Sequence, residues 1–274
     1  MIGVFDSGYG GLTILQELVR AFPARSFIYL GDNARAPYGS LPQNTIYEYT
    51  KQGVEFLFSH GCNLVLLACN TASAVALRRL QQEFLPRAYP HKRILGIVVP
   101  TIEQITGTQW SDDAQNHTPR YSTIGILATP QTVQSQSYEK EINKRAPSII
   151  VVSQPCPQLV PLIEQHADES IIQTEVQHCL DQLFQKNNAL DALILGCTHY
   201  QLIKHLFPPT IPLIEQPTIV AERLKWYVQH HPESDNENSP AHHIFYTTED
   251  ANLVSRNAQN FFENTIQFQQ TLLL

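Results

Sequence analysis

The chain has 274 residues, 43% of them hydrophobic and 16% charged, with a formal net charge of -7. That length supports one large core or, as the pattern below favours, two of ordinary size. An acidic balance without clustered Lys and Arg excludes a nucleic-acid footprint. No apolar run approaches the roughly 20 residues of a membrane span. The N-terminus, MIGVFDSG, lacks a basic segment followed by an apolar one. A cytoplasmic protein without a membrane partner is therefore expected, and in that compartment Cys62, Cys69, Cys156, Cys179 and Cys197 are reduced thiols. None of them forms CxxC, so neither a thioredoxin-type nor a zinc-ribbon site has spacing to support it.

In chain order, IGVF (2–5) predicts a strand, 10–22 a helix, FIYLG (27–31) a strand, 43–59 a helix, NLVLLAC (63–69) a strand and 72–84 a helix. Short, continuously apolar strands alternating with helices predict βαβ units and a parallel sheet covered on both faces. RILGIVVPT (93–101) predicts a further strand ending at Pro100, and the polar stretch 107–120 a loop. The pattern then restarts. STIGILATP (122–130) echoes MIGVFDSG, and DALILGCTH (191–199) echoes NLVLLACNT, at offsets of 122 and 128 residues. Two matches in the same order at similar spacing predict an internal duplication. The polar stretch 229–243 reads as a surface loop. Its His230-His231 and His242-His243 pairs have adjacent spacing and no accompanying cysteine, so no metal site is assigned. IFYTTEDANLVSRNAQNFF, from Ile244, reads as a last strand and helix.

The expected architecture is α/β, with two similar lobes, each a mostly parallel sheet flanked by helices. The lobes are pseudo-twofold related, with the active-site cleft between them. Ligands of open α/β sheets sit outside the carboxyl ends of the strands, and Cys69 and Cys197 both fall there, one per half.

The glycine-rich turn DSGYGG (6–11) matches neither nucleotide fingerprint: GxGxxG fails at Thr13, and a phosphate loop lacks its lysine. It can bring backbone N–H groups to an anion such as a carboxylate, or Asp6 and Ser7 can simply cap the next helix. APYG (36–39) is a turn carrying Tyr38. ATPQTVQS (128–135) offers Thr129, Thr132 and Ser135 as caps or ligand contacts.

A buried cysteine is most often a core residue, but two of them share an unusual setting. Cys69 precedes Asn70-Thr71 and a helix whose positive end can lower a thiol's pKa. Cys197 precedes Thr198 and His199, and the imidazole can accept or stabilise its proton. Two such thiols facing each other suit removal of a proton from one face of a carbon and its return to the other, with Asp6 and Glu164 tuning them. A protease-like Cys–His pair would leave Cys69 and Asn70 without a role.

With these residues assembled, the chain resembles the glutamate racemases of the aspartate/glutamate racemase superfamily. The matching strings are IGVFDSGYGGL (2–12), YLGDNARAPYG (29–39), ACNTAS (68–73), IGILATPQTV (124–133), CPQLVPLIE (156–164) and LGCTHY (195–200). The resemblance implies a first lobe of residues 1–98 plus 212–274 and a second of 99–211. It implies cofactor-independent interconversion of L- and D-glutamate, supplying D-glutamate for peptidoglycan. Cys69 and Cys197 match the two acid/base thiols, the first expected to deprotonate D-glutamate and the second L-glutamate. Asp6, Glu164 and His199 match the groups that assist them. Asp6, Ser7, Pro37, Tyr38, Gly39, Asn70, Thr71, Thr198 and His199 match the substrate-holding positions.

Glutamate is thus the expected small-molecule partner, no metal or cofactor is expected, and the oligomeric state stays open, a homodimer included. Gln131, Gln165 and Glu215 depart from residues common in the family, but none of them touches the thiols. Aspartate racemases usually carry Glu at the position of His199, which favours glutamate. The alternatives are a racemase of the same superfamily acting on aspartate or a hydantoin, and a two-lobed amino-acid-binding regulatory protein with structural cysteines.

Overall fold

The structure is a computed structural model, and it describes residues 1–108, 119–231 and 241–273. The chain runs β1 (Ile2–Asp6), α1 (Gly11–Ala21), β2 (Phe27–Gly31), α2 (Gln43–Ser59), β3 (Leu64–Leu67), α3 (Asn70–Arg79), a π-helical turn and α4 (Leu85–Ala88), then β4 (Arg93–Gly96) and α5 (Val98–Thr106). It continues with β5 (Thr123–Ala128), α6 (Pro130–Ser135), α7 (Ser137–Arg145), β6 (Ile150–Pro155), α8 (Leu159–Glu164), α9 (Glu169–Lys186), β7 (Ala192–Gly196) and a 3-10 segment (Thr198–Leu206). Last come β8 (Leu213–Ile214), α10 (Gln216–His230), β9 (His243–Thr247), α11 (Ala251–Asn257) and β10 (Phe268–Gln270).

Two separate sheets form, and every strand pair in them is parallel. The first has the order β10-β9-β2-β1-β3-β4, the second β6-β5-β7-β8. Within the first, the run β2-β1-β3-β4 has the same order as the whole second sheet. This is the architecture expected of two similar α/β halves. β1, β3, β5 and β7 are buried at every residue, which is why they read as unbroken apolar runs: helices cover both faces.

The described chain crosses between the two lobes twice. Ile97 packs with the first sheet, while Val98, Ile102 and Ile105 of α5 pack with β5 and β7. Leu213–Ile214 still pairs with β7, so that strand belongs to the second sheet although it lies beyond 211. α10 then returns Val220, Ala221, Leu224 and Val228 to the first core beside Leu12, Leu15 and Leu18 of α1.

Two local expectations are corrected. The strand expected to run to Pro100 stops at Gly96, and Pro100 lies in the first turn of α5. A helix start tolerates proline because its first N–H groups have no intrahelical partner. The strand at 243–247 is not the last, because β10 adds beyond it at the sheet edge. Of the polar stretches expected as loops, 109–118 and 232–240 lie outside the described residues. Among the described residues no helix is long and apolar enough to cross a membrane.

Leu67 is fully buried in β3, two residues before Cys69. Leu67→Ala should lower the unfolding free energy by about 2–5 kcal/mol, whereas Ile150→Ala, at a position 56% exposed, should stay within about 0.5 kcal/mol. Denaturant unfolding of both variants checks this, and equal effects would contradict the core assignment.

Candidate active site

Strand register assembles the site. β1 and β3 pair with Phe5 level with Leu67, which sets Ser7 beside Cys69 two residues further on. The Ser7 hydroxyl lies 3.4 Å from the Cys69 thiol. β5 and β7 pair with Ala128 level with Gly196, so Thr129 and Cys197 occupy the equivalent places in the second lobe. α3 starts directly after Cys69, and its sulfur caps the helix by accepting from the Ala72 N–H at 3.4 Å.

The lobes meet closely at these strand ends. A Cβ on Gly10 would overlap the Thr198 hydroxyl and lie 2.6 Å from His199 Nδ1, and one on Gly39 would lie 2.7 Å from Thr129 Cβ. Between them is a cavity of about 110 Å³ with both thiols on its wall. This is well below the ~300–1,000 Å³ of sites for drug-sized ligands, and it suits a small polar molecule. A larger cavity of about 420 Å³ lies elsewhere, between Leu77, Gly96, Leu224 and Trp226, and neither thiol lines it.

Of the residues singled out in the sequence, Ser7, Pro37, Tyr38, Gly39, Cys69, Asn70, Thr71, Glu164, Cys197, Thr198 and His199 line the small cavity. Asp6 does not. It is buried behind the turn and accepts from the Gly8 N–H at 2.9 Å. Tyr38 lines the cavity, and its hydroxyl donates to the buried Asp32 carboxylate, which Arg35 and Thr248 also bond. Thr71 Oγ1 lies 2.9 Å from Thr129 Oγ1 and 3.3 Å from Thr132 Oγ1, a hydroxyl cluster joining α3 to α6.

Sequence reasoning missed Cys156 and Val160 on the cavity wall, although both lie in the CPQLVPLIE string. It also missed the partners of Asn70, which are Tyr138 and Gln216. No local pattern connects residues 68 and 146 positions apart.

The two thiols have different neighbours. Burial, followed by the nearby Asp6 carboxylate, pushes the Cys69 thiol up to about 12, against the Ser7 hydroxyl and the Ala72 N–H. The expected lowering by the helix end is therefore reversed, because loss of hydration outweighs one weak backbone contact. Burial also raises the Asp6 carboxyl, opposed by His199 and the Gly8 and Gly11 N–H groups. In the second lobe Cys197 Sγ lies 3.8 Å from His199 Nδ1, and His199 Nε2 lies 2.8 Å from Glu164 Oε1. Burial disfavours the imidazolium, but hydrogen bonds to Cys197 and Glu164 outweigh it and raise His199 to about 10.

Among the described residues no group of three or more His, Cys, Asp or Glu side chains is placed to hold a metal ion. His230 Nδ1 lies 2.8 Å from the Trp226 carbonyl, and His242 Nδ1 3.3 Å from Ser26 Oγ.

Fold and site together define a two-lobed α/β protein with paired thiols across an enclosed interlobe cavity. Residues 2–224 match the model of the Asp/Glu/Hydantoin racemase family, and the chain belongs to that family. It is 42% identical to a glutamate racemase of Phenylobacterium zucineum, over 98% of this chain and 99% of that one. It is 45% identical to a glutamate racemase of Caulobacter sp., over 90% and 91%. Its structure resembles that of the Francisella tularensis glutamate racemase in complex with D-glutamate, with a TM-score of 0.85 and 29% identity, covering 99% of this chain and 97% of that one.

Two pH measurements test the electrostatics. The ultraviolet thiolate difference between wild type and Cys69→Ser should stay flat up to about pH 10, because Cys69 titrates near 12. A step near neutral pH would contradict the burial argument. His199 is raised from 6.5 to about 10, so its contribution to stability is complete below pH 6.5 and is lost as pH rises through about 10. Unfolding free energy should fall across that window, and His199→Gln should flatten the decline.

Proposed function

We propose that the protein interconverts L- and D-glutamate without a cofactor, by proton transfer between the substrate α-carbon and two thiols, and so supplies D-glutamate for peptidoglycan in the cytoplasm. One observation carries this reading: Cys69 and Cys197 reach the wall of one small cavity from equivalent strands of the two lobes. Relatives 42% and 45% identical are glutamate racemases, which supports glutamate as the substrate.

The α-proton of an amino acid is a weak acid, so the site must stabilise the carbanion as it forms. The backbone N–H groups that open α3, and Thr198 after the second thiol, are fixed donors for the α-carboxylate. Both thiols are only 6% exposed, and a substrate that fills the cavity displaces water from it, which strengthens these contacts. With D-glutamate bound, the Cys69 thiolate takes the α-proton and becomes a thiol. The Cys197 thiol gives its proton to the opposite face and is left as a thiolate, whose charge the imidazolium of His199 balances while Glu164 holds the other side of that ring. With L-glutamate the roles reverse.

A thiol held near 12 is a poor donor of thiolate by itself. The substrate ammonium, entering beside Ser7 and in front of Asp6, supplies the positive charge that favours ionisation of Cys69, whose proton leaves to solvent as the substrate enters. Asp6 then acts through that ammonium and the turn that it braces.

The test is the circular dichroism of L-glutamate incubated with reduced protein and no added cofactor. Wild type should bring the signal to zero, and Cys69→Ser and Cys197→Ser should each be slower by about 10²–10⁴-fold. Wild-type protein that binds glutamate and leaves the signal unchanged would replace this reading with that of a binding protein.

A further inference from the structure

Asn70 lines the cavity, yet most of its amide is engaged from behind. Its Oδ1 accepts from the Tyr138 hydroxyl at 2.7 Å and from Gln216 Nε2 at 3.1 Å, and its Nδ2 donates to Gln216 Oε1 at 2.6 Å. The Asn70 and Gln216 amides therefore form a reciprocal pair, each donating to the other. Gln216 Nε2 also lies 2.9 Å from the Tyr138 hydroxyl and 3.0 Å from Thr101 Oγ1. Gln216 is fully buried, as is Thr101, and Tyr138 is nearly so. Buried amides left unpaired are costly, so a cluster of this kind holds one arrangement.

The pairing determines what Asn70 can offer a ligand. Both lone-pair positions of Oδ1 are taken by donors, and one Nδ2 hydrogen is used by Gln216. The remaining Nδ2 hydrogen is the free polar valence, so Asn70 meets the cavity as a donor only. Rotating the amide by half a turn would set its NH2 against the Gln216 NH2 and aim an acceptor at the cavity, which would repel a carboxylate. The residues involved come from four elements: Asn70 from α3, Thr101 from α5, Tyr138 from α7 and Gln216 from the start of α10. Two of these, α5 and α10, follow the points where the chain crosses between lobes.

We propose that Gln216 is a positioning residue that fixes the orientation of the Asn70 amide, so that the cavity presents an N–H donor to a substrate carboxylate. The inference deepens the racemase reading and rests on it for the identity of the carboxylate. Gln216 itself does not line the cavity and touches no reacting atom.

Two measurements test it. In wild type with asparagine-selective ¹⁵N labelling, and Asn70→Asp to assign the signal, one Asn70 side-chain amide proton should be protected from exchange in the free protein. The other should shift when D-glutamate is added. Two protons that exchange alike would overturn the proposal, and this readout does not depend on any Gln216 variant folding. Steady-state kinetics and calorimetric titration with D-glutamate then compare wild type with Gln216→Leu, Gln216→Met and Tyr138→Phe. Gln216→Met keeps the length and approximate volume but has no N–H or O–H to donate to Asn70 Oδ1. Both Gln216 variants should raise KM and Kd by about tenfold or more, with a smaller change in kcat, while Tyr138→Phe, which keeps the amide pair, stays within about threefold.

Wild-type KM in a folded Gln216 variant overturns the proposal. So does an equal loss in Tyr138→Phe, which would make the cluster a packing unit only. Wild-type protein that binds glutamate without racemising it would sink the racemase reading alone, because Kd and the amide spectrum still report on Gln216.

Discussion

The site depends on how closely the two lobes can approach at their strand ends. Gly10 has no side chain where Thr198 and His199 press against it, and Gly39 has none where Thr129 does. Any larger residue at either position would hold the lobes apart. Because they close, Cys69 and Cys197 are each only 6% exposed, and the removal of water governs the chemistry that follows. It lifts the Cys69 thiol, lifts the Asp6 carboxyl, and makes the hydrogen bonds on His199 strong enough to overcome the cost of burying its charge. A more open cleft would rehydrate these groups and return them toward ordinary behaviour.

The two halves share a scaffold but differ in how they treat their thiols. In both, an interior strand of a parallel sheet leads into a cysteine level with a hydroxyl residue beyond its neighbouring strand, Ser7 in one lobe and Thr129 in the other. The first thiol faces a hydroxyl and a carboxylate, the second an imidazole–carboxylate pair. The proposed reaction accounts for this asymmetry: an amino acid held between the lobes would present different groups to each side, so identical surroundings would not serve both faces of one α-carbon.

The strands and their ends were legible in the sequence because full burial on both faces leaves continuous apolar runs. β1, β3, β5 and β7 fall on the stretches IGVF (2–5), NLVLLAC (63–69), STIGILATP (122–130) and DALILGCTH (191–199). The repeat from Ile2-Gly3 to Ile124-Gly125 also anticipated the matching strand orders of the two sheets. Local rules failed where a longer-range contact decided the outcome. Pro100 reads as a strand terminator but sits in a helix start, and β10 forms only because β9 offers it an edge.

For the site, residue types and their setting singled out the two thiols, and the family resemblance supplied most of the other expected site residues, which make up eleven of the eighteen on the cavity wall. The ionisation of those groups could not be read the same way. A helix start next to Cys69 suggests a lowered thiol, and only the depth of burial between two closed lobes reverses it. The Asn70–Gln216 pair was equally hidden, because it joins positions 146 residues apart that carry no shared pattern. Sequence by itself determined which side chains gather at the strand ends, because alternating apolar runs and turns encode that locally. Packing of one lobe against the other decided their protonation and orientation, because hydration and hydrogen-bond geometry depend on every neighbour in space.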